Sequence, residues 1–399
     1  MPPLAVLVCL VVGGIALAAW LAILLEPARP WDLRPVAEDE PAPPEPAAWP
    51  PVAVIVPARN EVEALPLALP WLLAQDYPGD WRVVLVDDRS TDGTGELARR
   101  LADGAGAAAR LTVVAGAELP AGWVGKVWAM EQGRRAVEAD RRAYLLLTDS
   151  DIRHAPGSLR RLVAESEAGG LGLNSRMARL RCESRAERLL IPPFVFFFNL
   201  LYPMRRANDP ASRVAACAGG CVLLRADALE AAGGFAAIRG EIIDDVNLAR
   251  VVKRAGARTR LSVSRGDVAS IREYGTLGPI WRMVRRSAFD ELDYSWPKLA
   301  GTTVGMAVTF MLPSLAVPLA LATVAARGAG ALGGSWAWPL VGLAVALAPI
   351  ALAALTYRTT ARFFGLPARW LWTLPLAGTI YGLITLDSAR VHVQGRSSW

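Results

Sequence analysis

The amino-acid sequence predicts an α/β domain with a mostly parallel sheet, flanked by membrane-spanning helices near both ends of the chain. Short apolar segments typical of buried strands alternate four times with helical segments between residues 52 and 147, and this alternation is typical of a parallel sheet covered on both faces. Of the 399 residues, 53% are hydrophobic. That share is high for a purely soluble protein, so part of the chain is expected to lie in lipid.

The first apolar segment covers residues 4–25 and carries no charge over 22 positions. A helix of that length crosses the roughly 30 Å hydrocarbon layer of a bilayer. No basic residue precedes Leu4, which favours a retained helix over a cleaved signal peptide. Residues 1–27 are therefore predicted to form an N-terminal membrane anchor.

About three further apolar segments lie within residues 299–390, at roughly 300–325, 335–356 and 369–386. Arg358, Arg362 and Arg369 occur between the last two, whereas Arg327 alone occupies the preceding loop. The positive-inside rule places the arginine-rich loop, and with it the central domain, in the cytoplasm. The net charge of +6 fits anionic headgroups, and because no nucleic-acid motif accompanies it, no nucleic-acid partner is expected.

Residues 28–50 form a proline-rich acidic linker, and residues 51–298 the central domain. Its predicted strands cover residues 52–58, 81–88 and 111–116 and a fourth segment from Tyr144, with helices between them. Polar residues follow three of these strands, in "PARNE", "DDRSTDGT" and "TDSD". Because parallel strands end at one edge of the sheet, these residues predict a binding site there. The alternative for "TDSD" is a solvated loop before the helix near Ser158.

The pattern of the strand ends favours a metal–phosphate site over the familiar nucleotide signatures. "GAGAAA" at residues 104–109 matches a dinucleotide fingerprint but follows a helix, and a glycine–lysine phosphate loop is absent from the sequence. Asp149 and Asp151 are two positions apart, so in extended chain both carboxylates face one side. Such oxygen ligands suit Mg²⁺ or Mn²⁺ bridging the protein to a diphosphate.

Six motifs occur in a characteristic order: "VIVPARNE", "VDDRSTDGT", "GKVWAMEQG", "LLLTDSD", "GGCVLLRADALEAAGGF" and "IIDDVNLARVVKRAG". Over about residues 50–290 they resemble the inverting family 2 glycosyltransferases with the GT-A fold. The whole layout is most similar to the bacterial hopanoid-associated (hopene-associated) glycosyltransferases, and the ceramide glucosyltransferases are close in layout. The resemblance implies a nucleotide-sugar donor, a lipid or polyprenyl acceptor, and a multi-pass protein of the bacterial inner (plasma) membrane.

The resemblance also assigns roles to matching positions. Donor binding falls to Pro57, Asn60 and Glu61 in the nucleotide pocket, Asp87 or Asp88 at the base or ribose, Lys126 at phosphate or sugar, and the DXD pair Asp149 and Asp151, with Asp151 the more direct metal ligand. Asp245 matches the catalytic base. Asp244 stands where the family usually has Glu.

The chemistry of transfer points to the same residues. A nucleotide sugar carries a good leaving group, so the missing component is a base that takes the acceptor proton, and Asp245 supplies one. The alternative is that Asp244 and Asp245 only cap the following helix. Arg282 and Arg285 resemble the Arg/Gln-x-x-Arg-Trp motif of membrane-bound relatives, with Arg286 in place of the tryptophan. They are expected to hold the diphosphate by charge-assisted hydrogen bonds, and the alternative is a basic helix at lipid headgroups. Residues 189–203 are either a core segment or an interfacial one.

Other functions compete with lipid glycosylation. A processive polysaccharide synthase needs a polymer channel, for which about four helices give little material. A noncatalytic membrane module that binds nucleotide sugars would keep the fold without turnover, but the intact Asp245 and DXD pair disfavour it. A nucleotidyltransferase would need a glycine-rich, lysine-containing loop after the first strand, and the sequence has none there.

Overall fold

The computed structural model describes residues 2–394, and the chain divides into two compact units. The α/β unit consists of Arg34–Arg181 and Tyr202–Glu273. The helical unit consists of three separate segments, Met1–Leu33, Cys182–Leu201 and Tyr274–Trp399.

In chain order, the strands are β1 (Val52–Ala58), β2 (Trp81–Asp87), β3 (Leu111–Ala115), β4 (Tyr144–Leu147), β5 (Ile152–His154), β6 (Leu171–Met177), β7 (Val222–Arg225), β8 (Arg258–Val263) and β9 (Val268–Ser270). The α-helices are α1 (Leu4–Leu25), α2 (Leu65–Leu73), α3 (Thr94–Gly104), α4 (Gly125–Ala136), α5 (Ser158–Gly169), α6 (Arg185–Leu201), α7 (Met204–Ala207), α8 (Ala226–Ala231), α9 (Asp244–Arg254), α10 (Leu277–Ser287), α11 (Trp296–Met306), α12 (Leu312–Gly328), α13 (Ala337–Phe363) and α14 (Leu374–Val393).

The main sheet has seven strands in the order β3-β2-β1-β4-β7-β6-β8. The four strands β1 to β4 that the sequence predicted run parallel to one another, which confirms the mostly parallel sheet. β7 runs antiparallel to both β4 and β6, and β8 returns parallel to β6. A separate antiparallel pair, β5 and β9, lies just after the strand end at "TDSD".

Alternating side chains of β1 bury into two apolar layers, one on each face of the sheet. Val54 and Val56 pack in one layer with Leu69 of α2, and Ile55 packs in the other with Val127 of α4. Because both faces of a parallel sheet are covered, its central strands are continuously apolar. This is why β1, "VAVIVPA", shows no alternation of apolar and polar residues.

Most of the predicted linker, residues 34–50, belongs to the α/β unit. Val36 and Ala37 are buried, and the Glu38 carboxylate accepts hydrogen bonds from the backbone N–H groups of residues 265–267 and from the Ser264 hydroxyl. Burial opposes ionisation of Glu38, but these four donors lower its pKa to about 2. Residues 34–50 are thus bound to the domain and do not form a free linker.

Among the residues described, three helical segments are long and apolar enough to cross a membrane: Leu4–Leu25, Trp296–Gly328 and Ala337–Phe363. The second of these is continuous from α11 through a π-helical stretch, Ala307–Met311, into α12. The predicted last segment, 369–386, becomes a 3₁₀ turn followed by α14, and α14 lies outside this group. By length and composition, two C-terminal helices therefore qualify where the sequence predicted about three.

α1 and α13 run parallel in the helical unit. Gly342 faces Val6, and Gly13 faces Val345. A Cβ atom at Gly13 would lie 2.6 Å from the Val345 carbonyl oxygen, so the absence of a side chain there allows close approach of the two helices.

α12 and its π-helical stretch run antiparallel to α1. Cys9 of α1 lies 3.5 Å from the Ala316 carbonyl, and farther along α1 the Trp20 indole donates to the Thr309 carbonyl at 3.2 Å. The π-helical stretch thus exposes a backbone acceptor that a buried tryptophan uses.

α14 packs antiparallel to α11. Gly378 faces Phe310 just beyond α11, and Ala389 clusters with Leu299 near the start of α11. Asp387 of α14 accepts hydrogen bonds from Trp281 and Arg285 of α10. This polar cluster explains why α14 is less apolar than a membrane span.

α6 contains residues 189–201 of the apolar segment that the sequence left open between a core and an interfacial role. It packs in the helical unit, where Phe196 joins Trp20 and Tyr357 in a buried aromatic cluster. At its first turn the Glu187 carboxylate is 1% exposed and accepts four backbone N–H groups, from residues 183, 184, 274 and 275. Glu187 therefore fastens two distant chain segments together.

Candidate functional site

The carboxyl ends of β2, β1 and β4 are adjacent, because these strands are neighbours in the sheet. Asn60, after β1, adopts φ +55°, and its side-chain oxygen accepts the backbone N–H of Thr91 after β2 at 2.8 Å. The Asn60 N–H donates to Ser90 at 3.0 Å. Asn side chains tolerate this left-handed backbone. Asn60 therefore ties the first two predicted site segments together.

The two aspartates at the end of β2 point to different places. Asp87 accepts the N–H of Ser90 and packs against Gly95 in the first turn of α3, where a Cβ would lie 2.5 Å from its Oδ2. Asp88 faces Gly125 at the start of α4 and has Arg59 at 3.7 Å. Of the two, Asp88 lies beside the predicted donor-binding lysine.

Lys126 lies at the centre of the predicted site residues. Its ammonium is 2.8 Å from Asp149 Oδ1 and 3.5 Å from Asp244 Oδ2. Burial disfavours the charged amine, but the carboxylates of Asp149 and Asp244, with Asp245 nearby, raise the pKa of Lys126 above its ordinary value. Lys126 therefore stays charged and joins the DXD segment to the predicted catalytic pair.

Asp245 lies at the start of α9, half-buried beside Lys126. One carboxylate oxygen accepts the N–H of Gly219 at 2.9 Å, and the other accepts that of Val246 at 2.8 Å. Burial, and then repulsion from Asp244, raise the pKa of Asp245 to about 6, although the Lys126 charge opposes this. A carboxylate with a raised pKa is a stronger base than an ordinary aspartate. Asp245 also accepts the N–H of Gly219, which lies outside α9, so capping of the helix is not its sole contact.

Asp151 is 11% exposed at its side chain, and its Oδ2 receives the Nε–H of Arg272 at 2.5 Å. The same guanidinium reaches Glu61 Oε1 at 3.2 Å. Burial raises the pKa of Glu61, while the Arg272 charge opposes the rise. Glu61 after β1 and Asp151 after β4 thus share one counter-ion.

Asp149 and Asp151 offer a donor set that fits Mg²⁺ or Mn²⁺. Both supply hard carboxylate oxygens, and Asp149 remains 38% exposed. Within residues 2–394, no three His, Cys, Asp or Glu side chains cluster as a metal site. Mg²⁺ commonly uses only one or two carboxylates, and substrate phosphates and water complete its shell.

Arg282 and Arg285 are on α10, in the helical unit, where Arg285 pairs with Asp387 at 3.4 Å. Their role toward a diphosphate stays a prediction, as does that of Pro57, which lies within β1 beside Val86 of β2. The structure does bring Asp88, Lys126, Asp149, Asp244 and Asp245 to one edge of the sheet.

Two residues of the site carry roles that the sequence did not suggest. Arg272 is 121 positions from Asp151 and 211 from Glu61, so no local pattern reveals it. Gly219 belongs to a quoted motif, but its role appears only in three dimensions. A Cβ there would lie 3.2 Å from Lys126 Nζ and 3.5 Å from Asp245.

Residues 53–233 match Glycosyl transferase family 2. Among solved structures, a mannosyltransferase from Pyrobaculum calidifontis, in complex with GDP-Man and Mn²⁺, is similar over 95% of this chain and 99% of its own, with a TM-score of 0.53 and 23% identity. The family match is confined to residues 53–233, and the structural similarity shows a shared α/β fold.

Glucosyl-3-phosphoglycerate synthase from Mycobacterium tuberculosis is also similar. Its complex with phosphoglyceric acid has 19% identity and a TM-score of 0.37, and its complex with Mn²⁺ and UDP-glucose has 20% and 0.36; each covers 61% of this chain and 79% of its own. A search of the curated proteins finds no match.

Proposed function

We propose that this protein is a membrane-bound inverting glycosyltransferase that moves a sugar from a nucleotide-sugar donor to a lipid or polyprenyl acceptor. The observation that carries the proposal is the position of Lys126 between the DXD segment and the Asp244–Asp245 pair. Donor-side and acceptor-side carboxylates thereby meet at one ammonium group, as a transfer site requires. The family match over residues 53–233 supports the same reaction class.

On the donor side, we assign Asp88 and the Asn60 segment to the nucleoside, and Lys126 to the donor's phosphates because its ammonium stays charged. Asp149 and Asp151 would hold a divalent cation, which when bound offsets the charge that develops on the leaving diphosphate. Asp151 is the more buried of the two. It is therefore assigned the tighter hold on the ion, as the sequence resemblance implies.

On the acceptor side, Asp245 takes the proton from the acceptor hydroxyl. The oxygen attacks the anomeric carbon on the face opposite the leaving diphosphate, so the configuration at that carbon is inverted. The N–H groups of Gly219 and Val246 fix the Asp245 carboxylate, and Lys126 screens its negative charge from Asp244.

The membrane assignment rests on the helical unit. In the part of the chain that the structure describes, three helical segments are long and apolar enough to span. Exposed tryptophans lie at helix starts, Trp296 at α11 and Trp336 and Trp338 at α13. Tryptophan is enriched where spans enter the headgroup layer. The arginines that the sequence placed in a loop lie differently, because Arg358 and Arg362 are in the last turns of α13 and Arg369 alone follows it. We assign the α/β unit to the cytoplasmic side of a bacterial inner membrane, because the positive-inside rule places this end of α13 there.

The proposal is tested by incubating membranes that contain the protein with radiolabelled nucleotide sugars and extracted lipids, followed by counting of the lipid phase. The lipids should include polyprenyl phosphates and hopanoids, the latter because of the sequence resemblance. Asp245→Asn membranes serve as the matched control. Label in the lipid phase with the wild type alone supports the proposal, and equal label in both overturns it.

A further inference from the structure

We propose that Arg272 is an internal counter-ion that competes with the divalent cation for Asp151 and moves to the donor's diphosphate when that cation binds. The inference rests on the proposed function and adds a positioning residue to it. It stands on the two ion pairs of Arg272 and on the anchoring of the chain that carries it.

Arg272 uses the same oxygen that a cation would need. Its Nε–H donates to Asp151 Oδ2 at 2.5 Å, and a terminal nitrogen lies 3.2 Å from Glu61 Oε1. The arginine side chain is 47% exposed, whereas the Asp151 side chain is 11% exposed. The guanidinium therefore approaches from the solvent side and can leave, while the aspartate is held in place.

The backbone keeps Arg272 near Asp151 even when the side chain moves. The N–H of Ile271 donates to the Asp151 carbonyl at 3.0 Å, and β9 pairs with β5 directly after Asp151. A side chain on such a fixed segment can exchange partners by rotamer change alone.

The exchange is favourable because the charges remain balanced. A divalent cation on Asp151 repels the Arg272 guanidinium. A bound diphosphate has two or more anionic oxygens that can accept hydrogen bonds from this planar group. Asp149 has a different cation, Lys126, which is also bound to Asp244. The two carboxylates of the DXD pair are thus neutralised by separate residues, and Arg272 is the more exposed of them.

The test is a titration of the full-length protein in detergent with Mn²⁺ alone, followed by the electron paramagnetic resonance signal of free Mn²⁺. Arg272→Gln should bind Mn²⁺ about threefold to tenfold more tightly than the wild type, because a competitor is lost. Arg272→Lys keeps the charge and should stay within about twofold of the wild type. With Mn²⁺ saturating, Arg272→Gln should bind GDP or UDP about tenfold more weakly.

Arg265→Gln is the matched control, since Arg265 is similarly exposed and pairs with Asp39 away from the site. Unchanged or weaker Mn²⁺ binding by Arg272→Gln overturns the competition, because a purely structural arginine would not hold the metal off. Asp151→Asn should abolish Mn²⁺ binding, so the signal of free Mn²⁺ should stay at its protein-free level. If Asp151→Asn still binds Mn²⁺, or if the wild type and Arg272→Gln both fail to bind it, the metal site is refuted and the inference falls with it. If Arg272→Gln transfers sugar and its Mn²⁺ affinity is unaltered, the inference alone is refuted.

Discussion

Replacing Asp245 by Asn exchanges one carboxylate oxygen for an amide NH₂ group, and this change should affect catalysis and stability in different ways. The amide keeps the size of the side chain and one carbonyl oxygen, so one of the two N–H donors, of Gly219 or Val246, keeps its acceptor. The basicity is lost. Loss of a general base costs about 10² to 10⁴ in rate, and we expect the upper end because the adjacent carboxylate, Asp244, is paired with Lys126.

Asp245→Asn should lower the transfer rate but raise the stability of the folded protein, and the gain in stability should depend on pH. The pKa of Asp245 is raised from an ordinary value near 4 to about 6. The folded protein therefore binds this proton more tightly than the unfolded chain, and the contribution to stability falls as the pH rises from about 4 to about 6. A difference of about two pH units corresponds to roughly 3 kcal/mol. Asparagine does not ionise, so the variant avoids this loss.

Thermal unfolding of the detergent-solubilised protein at pH 4.5 and pH 7.5, with sugar transfer measured alongside, tests both effects. The midpoint of Asp245→Asn should rise relative to the wild type between the two pH values, although its transfer rate is low. The wild-type rate should also fall below an apparent pKa near 6, while residual transfer by the variant should not. A variant with wild-type transfer, or a midpoint difference that does not change with pH, refutes the assignment of Asp245 as the base.

Further predictions concern the metal, the membrane and the glycine of the site. Chelation should abolish transfer and Mn²⁺ or Mg²⁺ should restore it, with Asp151→Asn losing more activity than Asp149→Asn; full activity in excess chelator contradicts this. If the three spans cross, cysteines at Pro2 and Gln394 should be labelled from opposite sides of inverted membrane vesicles, and labelling of both from one side removes a span. Gly219→Ala should lower the rate about tenfold or more, because its Cβ would meet the lysine ammonium at 3.2 Å, and an unchanged rate in a folded variant contradicts the close packing.

The parallel half of the sheet could be predicted from sequence because each strand is short, apolar and followed by polar residues. The segment "YLLLTDSD" predicts both β4 and the carboxylates that follow it. The antiparallel half was not predicted. β6 contains Asn174, Ser175 and Arg176, all fully buried. Their polarity hides the strand, because Asn174 and Arg176 meet their acceptor Glu165 on α5 only in the folded chain.

The candidate site was predictable where its residues follow strands and unpredictable where they meet across the chain. Asp149 and Lys126 could be proposed from their motifs, but the meeting of Lys126 with Asp244 depends on the placement of α9. Arg272 has no sequence signal, because its partners are more than a hundred positions away. α14 resembled a span, since apolar residues dominate its first half and the polar contacts of Asp387 become visible only with α10 in place.

The packing of α1 against α13 has a consequence for biosynthesis. α1 leaves the ribosome before α13, which begins about 310 residues later; at roughly 5–20 residues per second this interval takes about 15–60 s. During this time α1 must remain in the bilayer as a lone helix, and its Trp20 indole has no partner until the Thr309 carbonyl is synthesised. Because α1 carries no charge, it is stable in the bilayer as a lone helix. Gly13 contributes to packing only after α13 has been inserted beside α1. Insertion and assembly of the helical unit are therefore separate events, with the whole α/β unit translated between them.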